Sequence, residues 1–70
     1  MNNNHLINKI ETGLREVGVL IETRRRAGIS LNKDDRNFIL KKREEAVSAG
    51  LDINEQTRLE EEGGRLVRGR

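Results

Sequence analysis

The sequence predicts an all-α fold: a small helical bundle of a long first helix, a second helix antiparallel to it and a shorter third. Three observations carry this. Ile7, Ile10, Leu14, Val17 and Ile21 form an apolar ladder spaced 3, 4, 3, 4, which keeps one narrow seam on one side of a helix. Where helical patterning breaks, a Gly followed by an aliphatic residue appears twice, at Gly28-Ile29 and Gly50-Leu51, the residue order of a helix C-terminus. Pro, Trp and Tyr are absent and Phe38 is the only aromatic, so the core must be built from Leu, Ile, Val and Ala, which suit helix packing better than a sheet sandwich.

The first helix is expected from Leu6 to Ala27, with Asn3 or Asn4 as its N-cap. Glu11 with Arg15 and Glu22 with Arg26 stand four apart in the favourable order, each pair contributing about 0.2–0.5 kcal/mol. Gly13 and Gly18 interrupt this helix at about 1 kcal/mol each relative to Ala. They flank the seam, so they either admit a neighbouring backbone or are tolerated weak spots.

Gly28 supplies a left-handed residue after the first helix, Ile29 folds back on it, and Asn32 caps the second helix with Asp34 and Asp35 in its first turn. The same corner recurs 22 residues later, Ala49 to Asn54 aligning with Ala27 to Asn32. The second helix, Lys33 to Ser48, is weakly amphipathic: Leu31, Phe38, Ile39, Ala46 and Ala49 share a side. Lys42 lies near that stripe and must either snorkel across it or mark where the helix runs out past its neighbour. A third helix is expected from Asn54 to about Glu62, ended or kinked by Gly63-Gly64. Residues 63–70 then form one more helical turn or a basic tail.

With 70 residues, the chain is one domain spanning 1–70, behind a polar start at 1–5. A chain this short buries only about 60% of its unfolded surface. It lacks Cys, and His5 is its only imidazole, so neither a disulfide nor a zinc site supplements the core. The stripe on the second helix is too sparse to cover five large aliphatics. Self-association through Ile7, Ile10, Leu14, Val17 and Ile21 is therefore expected, giving a coiled-coil-like homo-oligomer; the alternative is burial within the chain's own small domain, since Leu6, Val19 and Leu20 widen the stripe.

No apolar run approaches the roughly 20 residues of a membrane span, and no signal-peptide pattern opens the chain; the expectation is a cytoplasmic protein without a membrane partner. Catalysis needs positioned acids, bases or nucleophiles. His5 is alone, while Ser30 and Ser48 fall at helix ends. Glu60, Glu61 and Glu62 are consecutive and so point around a helix axis instead of at one cation. We expect no enzyme, no metal, no cofactor and no small-molecule substrate.

Two partner classes remain. Ala46, Gly50 and Leu51 resemble a helix-turn-helix corner. Arg24, Arg25 and Arg26, with Arg65, Arg68 and Arg70 in the tail, are candidate contacts for a phosphate backbone or an acidic protein surface. Against nucleic acid, Gln56 stands at a core position of that corner, the third helix is acidic, and the net charge is only +2 with interleaved signs. Arginines in a last helical turn also complement the helix dipole without any ligand. The expected function is a non-enzymatic interaction protein, an adaptor, inhibitor or assembly component docking helical surfaces on a macromolecular partner; a small nucleic-acid-binding regulator is the alternative.

Overall fold

The structure, a computed structural model, describes residues 3–69. Three helices follow one another, α1 over Asn3–Ala27, α2 over Lys33–Ser48 and α3 over Ile53–Arg68. They form a small all-α bundle, without strands among the described residues. α2 runs antiparallel to α1: Arg24 near the end of α1 meets Asp35 in the first turn of α2, and Gly13 lies against the Lys42 side chain. α3 returns parallel to α1, because the middle of one meets the middle of the other and their C-terminal turns lie together. Arg15 meets Glu62, Glu22 meets Arg68, and Arg26 meets Val67.

α1 already includes Asn3 and Asn4, so neither is its N-cap, and the residues ahead lie outside the described ones. Both glycine corners are built alike. Gly28 and Gly50 have φ of 69° and 88°. The Gly28 and Ile29 amides donate to the Arg25 and Arg24 carbonyls, and those of Gly50 and Leu51 to the Val47 and Ala46 carbonyls, the paired bonds of a Schellman motif. Leu51 packs on the core, whereas Ile29 stays exposed.

The following caps differ. Asn32 caps α2 in a reciprocal capping box with Asp35, but Asp52, not Asn54, caps α3 and accepts from the Glu55 amide. In both corners the cap falls where the third helical residue is acidic, Asp35 or Glu55. Ser30 and Asn54 would instead place Lys33 and Thr57 there, which complement the positive helix end less well.

α3 does not stop at Glu62. Gly63 and Gly64 are buried inside it and the helix continues to Arg68, so the basic segment through Arg68 is helical and Arg70 lies outside the described residues. The reason is the crossing with α1. A Cβ on Gly63 would come within 1.9 Å of the Arg15 carbonyl oxygen, and one on Gly18 within 1.9 Å of the Glu60 carbonyl oxygen. The two backbones touch, and the dispersion contact of that approach offsets the weak helix propensity of the glycines. Gly13 meets only the Lys42 stem, 3.1 Å from an added Cβ. Lys42 snorkels as its position demands, with Nζ 5.5 Å from the Phe38 ring centre and 3.9 Å from Glu45.

Ile10, Leu14, Ala46 and Leu59 form the core cluster, and Val17 and Ile39 are also buried. Gln56 is buried as well, and its Nε2 donates to the Leu51 carbonyl at 2.9 Å. The amide thus fastens the second corner to α3.

Candidate interaction site

The five ladder residues separate by position. Leu14 and Val17 are fully buried and Ile10 nearly so, while Ile7 at one end is 41% exposed and Ile21 at the other is half-buried. The expectation that this seam lies open rested on α2 as its only cover. α3 supplies the rest, because the glycine crossing brings Leu59 against Leu14 within the chain. The middle of the seam is occupied intramolecularly; only its ends face outward.

The arginine cluster is also engaged within the chain. Arg24 reaches Asp35 with Nε at 3.1 Å and Nη2 at 3.4 Å. Arg25 grips both carboxylate oxygens of Glu22, and Arg26 donates to the Val67 carbonyl at 2.8 Å. Arg68 donates to Glu22 at 3.3 Å, and Arg65 is exposed on the last turns of α3. Parallel packing explains the gathering: α1 and α3 end side by side, so the negative ends of two helix dipoles meet where Arg24, Arg25, Arg26, Arg65 and Arg68 stand.

The acids respond to these partners. Arg25 beside Glu22 holds that buried carboxyl below the usual range, with burial opposing and Arg68 assisting. Asp35 is lowered chiefly by the Asn32 amide and then by Arg24. Arg15 does the same for Glu62, to which it donates at 2.6 Å. Arg43 crosses from α2 to α3, reaching Glu60 with two bonds of 2.9 and 2.8 Å. Glu60 and Glu62 therefore point to different helices. The local pairs expected on α1 yield to these contacts, since Arg15 and Arg26 both turn to α3.

Among its charged side chains the surface also carries large aliphatics. Leu6, Ile7, Ile29, Leu40, Val47, Ile53 and Leu66 are exposed, whereas the large buried aliphatics are Ile10, Leu14, Val17, Ile39 and Leu59. Two grooves adjoin exposed residues. One of about 450 Å³ lies between the start of α1 and the end of α2, with Leu6, Ile10 and Ala49 among its walls and Lys9, Lys41 and Glu45 at its rim. The other, about 350 Å³, has Ile21, Leu31, Ile39 and Leu40 as apolar walls beside Arg36 and Arg43.

Sequence reasoning missed the outer stripe of α2. Leu40 and Val47 are seven residues apart, off the core stripe, and 56% and 64% exposed. That heptad spacing was the available signal. Compared with known protein families, with characterised proteins and with solved structures, the chain gives no match.

Proposed function

We propose that this chain is a non-enzymatic interaction protein, an adaptor, inhibitor or assembly component that docks helical surfaces on a protein partner. The observation that carries this reading is the set of outward aliphatics: among the described residues seven are exposed against five buried, and two of the exposed, Leu6 and Leu40, line grooves of a size to accept side chains. The charged exterior favours the same reading, because Arg24, Arg25, Arg26 and Arg68 each bond to groups of the chain itself. Such guanidinium groups exchange an existing partner for a phosphate, so binding to a polyanion gains less from them.

The nucleic-acid reading keeps one supporting observation, the gathering of basic residues at the shared end of α1 and α3. Affinity capture from host lysate, with and without nuclease, separates the two. The interaction reading expects a protein captured equally in both samples and lost on Leu6→Asp, which charges a groove wall. Capture that disappears with nuclease, together with submicromolar nucleic-acid binding near physiological salt, overturns it.

A further inference from the structure

Lys33, Asn37, Leu40, Glu44 and Val47 are spaced 4, 3, 4, 3 along α2 and all are exposed, one outer stripe of the bundle in which Leu40 and Val47 are the aliphatic members. Arg36 borders it. We propose that a second copy of this chain docks here, α2 against α2 in antiparallel fashion, with Leu40 at the two-fold axis.

One charge pair fits that occupant, while the same register sets Lys33 beside Val47 of the second copy and Arg36 near its Arg43, whose guanidinium is held by Glu60. An isologous contact must be self-complementary. Centring the axis on Leu40 places Arg36 opposite Glu44 of the second copy, and Glu44 opposite its Arg36, since each lies four residues from the axis in opposite directions. The two Leu40 side chains meet between these pairs, beside the groove walled by Ile21, Leu31 and Ile39. A parallel arrangement would set Arg36 on Arg36 and Glu44 on Glu44, and like charges disfavour it.

The aliphatic part of the contact is Leu40 and Val47, 56% and 64% exposed. The buried ladder of α1 is not required, so this interface replaces the first-helix seam as the route to a homo-oligomer. It occupies Leu40 and Arg36 of one groove offered above to a partner and leaves the Leu6 groove free, so failure of capture through Leu6 leaves it intact.

The test is sedimentation equilibrium of the full chain and of Leu40→Asp, Arg36→Glu and Glu44→Arg, each checked for helicity by circular dichroism. The parent is expected to be a dimer, Leu40→Asp a monomer up to about 300 µM, and each charge reversal weaker by about tenfold or more. Mixing Arg36→Glu with Glu44→Arg is expected to restore dimerisation, because both cross-pairs become opposite in sign. If Arg36→Glu loses helicity with its bond to the Leu31 carbonyl, Glu44→Arg and Val47→Asp decide instead. A monomeric parent at that concentration overturns the proposal, as does a dimer indifferent to Leu40→Asp. Single reversals that weaken the dimer without rescue on mixing overturn the antiparallel register.

Discussion

Gly18 and Glu60 meet backbone to backbone: a Cβ added to the first would lie 1.9 Å from the carbonyl oxygen of the second. Gly63 faces Arg15 in the same manner, so two glycines on α1 and α3 set the distance between parallel helices. This crossing puts Leu59 on the ladder and carries Glu62 and Arg68 to their partners on α1.

Gly18→Ala and Gly63→Ala are expected to destabilise the chain by about 2 kcal/mol or more, because main-chain atoms cannot yield as a side chain does. The adjacent controls behave oppositely. At Gly13 and Gly64 the nearest atoms to an added Cβ belong to the Lys42 and Arg68 side chains, and alanine there gains up to about 1 kcal/mol of helix propensity. Thermal melts read the contrast, at about 4–8 °C per kcal/mol for a chain of this size.

Gly28→Val and Gly50→Val place a β-branched residue at positive φ. No atom lies within 4 Å of either added Cβ, so the loss isolates backbone strain from crowding. Each should cost more than about 1 kcal/mol, with Asn at the same positions costing less. Equal midpoints for Val and Asn would contradict the assignment.

Leu14→Asp is expected to unfold the chain, not merely to dissociate an assembly. Leu14 is fully buried against Leu59 and Ala46, and an unpaired carboxylate there lacks any compensating bond. Loss of far-ultraviolet helical signal checks it; a folded monomer would show that the site opens to solvent.

Gln56→Glu should destabilise by about 1–3 kcal/mol, since an acceptor would replace the donor that faces the Leu51 carbonyl. Gln56→Leu removes the bond but suits the buried site and is expected to cost less. Chemical denaturation of the three proteins at neutral pH orders them.

Acid should weaken the fold through Glu22, Asp35 and Glu62. Their folded-state pKa values lie below the ordinary ones, so the unfolded chain binds protons first as pH falls. Their stabilisation is full above the unfolded-state range and is lost as pH drops below about 4 towards the folded-state values. Glu22→Gln should flatten the decline in thermal midpoint over that window and lower the midpoint at neutral pH. An unchanged acid profile would remove Glu22 from the account.

Local order was legible in the residues. The ladder spacing announces α1, Gly28 and Gly50 announce the corners after α1 and α2, and Asn32 with Asp35 announces the start of α2, because spacing, positive φ and capping are decided within a few residues. What decided the rest lies far apart in the chain. Gly63-Gly64 reads as a helix breaker until Arg15 is placed beside it, and Arg24 and Arg26 read as parts of an open basic cluster until Asp35 and Val67 arrive. A glycine pair carries no sign of the backbone that will touch it, and an arginine none of its distant acceptor. Tertiary packing alone made the third helix continuous, closed the middle of the ladder within the chain, and left the outer stripe of α2 uncovered.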